Sequence, residues 1–193
     1  MSTPDFTELP LTDLGNAERL TARFGHRLRY CHPWGKWLQY DGRRWATDDT
    51  GEIHRLAATT ARLLLDEARD LAQLAQAAEE LERQRLIDMV EATVKWARRS
   101  EAVERIKAMV ELARSRPGIP VRPEEMDSDP WLFNAVNGTV DLRTGDLQAH
   151  GPQDLITKLA PVQYDPEARY LCWDDFLERV LPSAEVRDFV QRV

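Results

Sequence analysis

Apolar residues recur at three- and four-residue spacing at Leu14, Ala17, Leu20 and Phe24, predicting a short helix over 14–26 with Asp13 placed to cap it. The period then shortens to two. From Leu28 to Trp45 the chain is crowded with aromatics, and three short strands are expected, with a first turn over Pro33–Lys36. Asp41-Gly42 reads as a two-residue hairpin turn between 37–40 and 43–45. Trp37 and Gln39 would point to one face of this meander and Leu38 and Tyr40 to the other, so both faces carry apolar bulk.

Asp49 followed by Glu52 resembles a capping box, and Ile53 to Arg114 contains neither Pro nor Gly. One helix of that length would run roughly 90 Å at 1.5 Å per residue, so the segment must fold back. Breaks are expected at 76–80 and 98–100, with Ser100 capping a last helix that carries Val103, Ile106, Met109, Val110 and Ala113. Leu63, Leu64, Leu71 and Leu74 mark one face of the first helix. Leu86, Met89, Val90, Thr93, Val94 and Trp96 mark the second. Three antiparallel helices result, stopped by Arg116-Pro117-Gly118.

Beyond Met126 the turn dipeptides Asn137-Gly138 and Thr144-Gly145 punctuate Trp131–Leu147 into a second tight meander. The stretch 153–159 reads equally as a helical turn or as extended chain. Asp165-Pro166 opens a terminal helical region in which Trp173, Phe176, Leu177 and Val180 share a face. A last helix starts at Ala184, and its apolar residues Val186, Phe189, Val190 and Val193 recur to the end, predicting continuation in a longer protein. The fold class is α+β and mainly helical: a three-helix bundle with small antiparallel hairpins and meanders. Four segments are expected: an N-terminal helix and aromatic meander over 1–50, the bundle over 51–116, the second meander over 117–166, and C-terminal helices over 167–193.

A chain of 193 residues with 42% hydrophobic content and six Trp can build a real core. A membrane-spanning run and a secretory leader are both missing from the sequence, and Cys31 and Cys172 are too few for a disulfide framework, so a cytoplasmic location is expected. The net charge of -7 argues against a surface that grips a polyanion throughout. Within 52–116, 12 Lys or Arg balance 12 Asp or Glu, the pattern of interleaved surface charge.

Candidate chemistry is sparse. Cys31-His32 could be half a metal site, but a packed thiol beside a strand-edge imidazole is the commoner arrangement. Asp127, Asp129, Asp141 and Asp146 suit turns better than a divalent-ion set, and the glycines lack the spacing of a phosphate-binding loop. Neither a catalytic residue nor a metal ligand is therefore assigned. Tyr30, Trp34, Trp37, Tyr40 and Trp45, interleaved with Lys36, Arg43 and Arg44, have the composition of a base-stacking surface, although a small sheet needs the same residues for packing. Lys36, Arg43, Arg44, Arg98 and Arg99 are the candidate DNA contacts.

The run from Trp131 through Asn137, Gly138, Asp141, Thr144, Gly145 and Leu147 is followed by Thr157-Lys158, Ala160-Pro161 and Tyr164-Asp165-Pro166. Together with the helix bearing Trp173, Phe176 and Leu177, it resembles the poxvirus-type, D5-like N-terminal domain of phage, prophage and plasmid primase-helicases. Trp37, Asp41, Gly42 and Trp45 resemble that family's opening hairpin, and the likeness runs from about Leu14 to the end. In the family this region precedes a superfamily 3 helicase of AAA+ type, which forms hexameric rings and moves along single-stranded DNA. The resemblance implies that the helix from Ala184 leads into that motor, and that ATP and Mg belong to the motor, with no cofactor in the present chain. Partners would be single-stranded or forked DNA, other subunits of the ring, and a primase on another chain.

The expected role is that of an accessory and assembly domain, not an enzyme in itself. An autonomous module for single-stranded or forked DNA is the alternative, and a degenerate nuclease or priming domain a further rival.

Overall fold

The computed structural model describes residues 6–168 and 171–192, and the expected extension of the last helix to Val193 lies outside them. Helix α1 (Asp13–Phe24) leads through a 3-10 turn at Gly25–Arg27 into strands β1 (Leu28–Cys31), β2 (Lys36–Tyr40) and β3 (Trp45–Thr47). Three helices follow: α2 (Glu52–Ala77), α3 (Glu80–Ser100) and α4 (Val103–Ala113). Strands β4 (Leu132–Ala135), β5 (Gly138–Asp141) and β6 (Asp146–Gln148) form the second sheet, and α5 (Leu171–Val180) and α6 (Ala184–Arg192) close the order. Both sheets are antiparallel meanders in sequence order.

The first helix break, at 78–79, falls within the expected 76–80, the second lies at 101–102, just past the expected 98–100, and the caps differ. Thr12, one residue before Asp13, accepts the Gly15 amide at 3.1 Å, while Asp13 pairs with Arg105 of α4 at 2.9 Å. At the start of α2 the capping carboxylate is Asp48, not Asp49: it accepts the amides of Glu52 at 2.8 Å and Ile53 at 2.9 Å. Partial burial works to raise the Asp48 carboxyl, yet the amides of Ile53, Glu52, Thr50 and Gly51 outweigh it and hold it below the ordinary value. Gly51, at φ +76°, supplies the backbone conformation that lets the loop reach back to this carboxylate. Ser100 does not cap α4 either. It ends α3 fully buried and accepts a hydrogen bond from the Asn16 amide at 2.9 Å.

Helix α1 joins the bundle, packing on α4 and α2. The principal core takes Leu20 from α1, Tyr30 and Trp37 from the first sheet, Leu56 and Ala61 from α2, and Met109 from α4. A second cluster lies on the opposite face of that sheet, where Cys31, Leu38 and Trp45 meet Val121 and Met126. The period-two alternation thus sends Trp37 to the helices and Leu38 and Trp45 away from them. On α2 the buried stripe runs through Leu56, Thr60, Leu64, Glu67 and Leu71, leaving Leu74 57% exposed, so the face expected from the leucines alone is rotated. Glu67 inside that stripe is explained by Arg19 of α1, which is 1% exposed and binds it at 2.9 Å, with Arg23 adding a second contact at 2.6 Å. The remaining donors of Arg19 reach the carbonyls of Phe6, Leu9 and Pro10, tying the chain start onto the bundle.

Candidate nucleic-acid interface

The loop between β2 and β3 is longer than expected. Tyr40 pairs with Trp45, which leaves a four-residue turn, Asp41–Arg44, in place of a two-residue one. The cause is the Asp41 side chain, which accepts the amides of Arg43 at 2.8 Å and Arg44 at 2.9 Å, while its own amide bonds the Arg44 carbonyl. Gly42 occupies φ +99°, which a side chain would disfavour.

This turn places the two arginines differently. Arg43 is exposed, and its carbonyl accepts the Asn134 amide at 3.0 Å. Arg44 turns inward, giving Nη1 to the Thr157 carbonyl at 3.2 Å, and lines a groove of about 380 Å³ with Trp34, Thr47, Asp49 and Thr157. Lys36 is exposed at the far end of β2, opposite Cys31. A five-residue strand separates it from the turn by about 14 Å at about 3.4 Å per residue. The structure therefore brings Arg43 and Arg44 together but leaves Lys36 apart.

Of the aromatic set, Tyr30, Trp37 and Trp45 are buried, with Tyr30 and Trp37 rings 5.1 Å apart and Tyr40 and Trp45 rings 5.6 Å apart. Trp34, at 43% exposure, remains open to a base. Stacking chemistry at this sheet thus reduces to Trp34 beside Arg44.

Arg98 and Arg99 stand exposed at the C-terminal end of α3, where the helix dipole favours cations. Their elbow is stiff. Trp96 Nε1 donates to Asn16 Oδ1 at 3.0 Å, Arg105 covers the Trp96 ring at 4.5 Å, and Asn16 holds Ser100. A polar Asn16 within the apolar stripe of α1 was the sequence signal for this joint, and the same reasoning applied to Glu67 would have found Arg19.

The second sheet is organised by turns. Ala135 pairs with Gly138, so Val136 and Asn137 form the turn and Gly138 opens β5, one residue earlier than expected. Asn137 cannot serve as a free turn residue, because its side chain exchanges two hydrogen bonds with the Tyr164 backbone, at 2.9 and 2.8 Å. A Cβ on Gly138 would stand 2.5 Å from the Gln148 carbonyl, so β6 approaches only because that side chain is missing. Tyr164 Oη reaches the Gly145 carbonyl at 2.8 Å and so spans both turns. Asp141 accepts the Arg143 amide at 2.9 Å, Thr144 Oγ accepts the Asp146 amide at 3.2 Å, and Asp165, just before Pro166, accepts the Glu167 amide at 2.9 Å. Arg143 binds Asp129 at 2.9 Å and lies over Trp131. The Trp131 amide and the Arg143 guanidinium hold the Asp129 carboxyl below its usual range.

Asn134 links the two sheets. Its Nδ2 donates to the carbonyls of Arg43 and Lys158, and its Oδ1 faces Thr139 Oγ1 at 3.3 Å and His150 Nδ1 at 2.9 Å. Segment 152–160, a 3-10 turn and then extended chain, completes the joint: Trp45 N donates to Ile156 O and Trp45 Nε1 to Pro152 O, both at 2.8 Å. Burial pushes the nearby Asp154 carboxyl up, against the Gly151 amide and His150. Sequence reasoning did not single out Asn134 or His150. The available signal was a polar residue at an inward position of Leu132-Phe133-Asn134-Ala135.

The four aspartates considered for a cation are spent separately: Asp127 on Thr157, Asp129 and Asp141 on Arg143, and Asp146 in an exposed strand. Among the described residues no group of three His, Cys, Asp or Glu side chains is placed to hold a metal ion, and no helix is long and apolar enough to cross a membrane. Cys31 is buried in the apolar cluster, and His32 meets Tyr30 edge-on at 4.8 Å.

No curated protein matches the chain. A family model described as D5 N terminal like matches residues 17–182, from α1 through the segment after α5, and the chain belongs to that family.

Proposed function

We propose that this chain is the accessory and assembly region of a phage or plasmid replicative DNA helicase, positioning DNA and neighbouring subunits for an ATPase motor carried by further polypeptide. The observation that carries this reading is the family match over residues 17–182, with the motif residues inside it committed to joints between elements. Polar groups already saturated by internal partners contribute rigidity, and a rigid platform raises the effective concentration of what it holds. ATP and Mg would act in the motor, and a primase would be a separate partner. The location would be the cytoplasm of a bacterial or phage-infected cell.

The test compares the complete helicase with a version lacking this region, reading ATPase rate, ring formation and unwinding of forked DNA. Loss of ring formation or unwinding with the ATPase centre intact is expected; unchanged behaviour in all three overturns the reading. The alternative, an autonomous module for single-stranded or forked DNA, is favoured by one observation: Trp34 and Arg44 share a groove with Arg43 beside it.

A further inference from the structure

One face of α3 carries Ile87, Val90 and Val94 at helical spacing, with Ile87 40% exposed and both valines half-buried. Val90 and Glu91 line two adjoining hollows, one shared with α2 and the other leading to the end of α3, so the two form one shallow trough. Between Arg83 and Arg99 it extends about 24 Å at about 1.5 Å per residue. Its floor is aliphatic and one end is cationic. Lys95, Arg98 and Arg99 are exposed there and form no ion pair among the described residues.

Helix α5 has the complementary character. Trp173, Phe176 and Val180 follow i, i+3, i+7 spacing and are 52%, 52% and 53% exposed, with the two rings stacked at 5.7 Å. The helix sequence sets Asp174, Asp175 and Glu178 against Arg179, and Glu178 meets Arg187 of α6 only at the long distance of 3.9 Å with 67% of its side chain exposed. Helix α6 also exposes Val186, Phe189 and Val190, but its Glu185 and Asp188 are balanced by Arg187 and Arg192. Charge therefore selects α5. Its length, about 15 Å at about 1.5 Å per residue, fits within the trough.

We propose that α5 of one copy of this chain docks in the α3 trough of a second copy, the aromatic anchors over Val90 and Val94 and the carboxylates of Asp175 and Glu178 toward Lys95, Arg98 and Arg99. This is helix-in-groove recognition, in which spaced apolar anchors give affinity and the charged rim gives orientation. It rests on the assembly reading above and supplies that reading with a contact. Because donor helix and acceptor trough are different surfaces, the contact is either exchanged within a pair or repeated head to tail. A floor of valine and isoleucine offers a nucleobase no ring to stack on, which favours a protein helix over a nucleic-acid strand.

Sedimentation velocity of the 193-residue chain over a roughly hundredfold concentration range tests this, since self-association moves with protomer concentration. The mass is expected to rise with concentration, and W173A/F176A and R98E/R99E should each weaken association at least about tenfold, a loss of about 1.4 kcal/mol. All four positions are exposed, so circular dichroism and thermal midpoint should hold. Adding D175R/E178R to R98E/R99E should restore association. Cys172, exposed beside Trp173, is a native handle: in V94C, mild oxidation should join it to the introduced thiol between chains, giving a band of doubled mass on a non-reducing gel for an exchanged pair and a ladder for a head-to-tail array.

A monomeric wild-type chain, a cross-link within one chain, or failure of the charge swap overturns the docking. So does single-stranded DNA binding that R98E/R99E abolishes while the mass stays unchanged. Association indifferent to every substitution also overturns it, yet leaves the assembly reading standing, which the deletion experiment decides independently.

Discussion

The two sheets share a topology and differ in what covers them. In the first, both faces are closed: Tyr30 and Trp37 enter the helical core, while Leu38 and Trp45 enter the cluster with Val121 and Met126. In the second, one face carries the Asn134 hub, and the other leaves Phe133 and Leu147, cross-strand partners of Val140, each 42% exposed. The first sheet is held by burial and the second by hydrogen-bonded turns. Similar hairpin sequences can therefore answer to different forces, and aromatic content alone does not tell them apart.

Removing a large buried side chain breaks this contrast most sharply. Trp45→Ala deletes a ring that is 1% exposed together with its Nε1 bond to Pro152, and should cost about 3–5 kcal/mol in urea unfolding. Phe133→Ala, on the open face, is expected to cost under about 1 kcal/mol. Equal losses would remove the distinction between the sheets.

The joint between them comes next. Asn134→Ala leaves the carbonyls of Arg43 and Lys158 and the His150 ring without their partner, and each buried orphan is worth about 1–3 kcal/mol. A loss of about 2–3 kcal/mol is expected because water can reach part of this site. Hydrogen exchange should show faster opening at the Trp45 amide, which donates to Ile156, than at the amides of α4. Uniform acceleration across both would mean that the hub does not act locally.

Much of this architecture was legible in the chain, and the failures share a cause. The helix breaks, both meanders and the opposite destinations of Trp37 and Leu38 follow from periodicity, because burial on one face is the force that writes it. The caps at Thr12 and Asp48, the four-residue turn and the one-residue shift at Gly138 are set by which side chain reaches which amide. That competition among neighbouring Ser, Thr, Asp and Asn residues is decided by backbone geometry invisible to a pattern. Asn16, Glu67 and Asn134 were readable in principle as polar residues on buried faces. The basic candidates were identified by composition, and composition carries no information on convergence, so Lys36 came with Arg43 and Arg44 although a strand length separates them.

Asp48 sharpens the contrast at the boundary between the first sheet and the bundle. Asp48→Ala should destabilise by about 1 kcal/mol, the usual worth of a helix N-cap. Since the folded carboxyl titrates below its unfolded value, its contribution is fully present above the ordinary aspartate pKa, about 3.9, and fades as pH falls through the lower folded value. The difference between wild type and variant should be flat near neutrality and shrink in acid. A difference that grows on acidification would contradict the capping role.

The smallest expected effect separates structure from recognition within a single turn. Arg43→Ala removes an exposed guanidinium and spares the backbone groups that Asp41 and Asn134 use, so stability should change by less than about 0.5 kcal/mol. Arg44→Ala also removes the bond to Thr157 and should cost more than its neighbour, within the range of about 0.5–1.5 kcal/mol for one hydrogen bond. In fluorescence anisotropy with single-stranded and forked DNA, the assembly reading tolerates negligible affinity of the isolated chain, wild type and variants alike. The autonomous-module reading expects measurable binding, with a logarithmic salt slope on a single strand that falls by about 0.7 for each phosphate the Arg43 guanidinium neutralised. Because Arg43 is nearly silent in stability, such a change in slope could arise only from its touching the strand, which makes this residue the cleanest discriminator between the two readings.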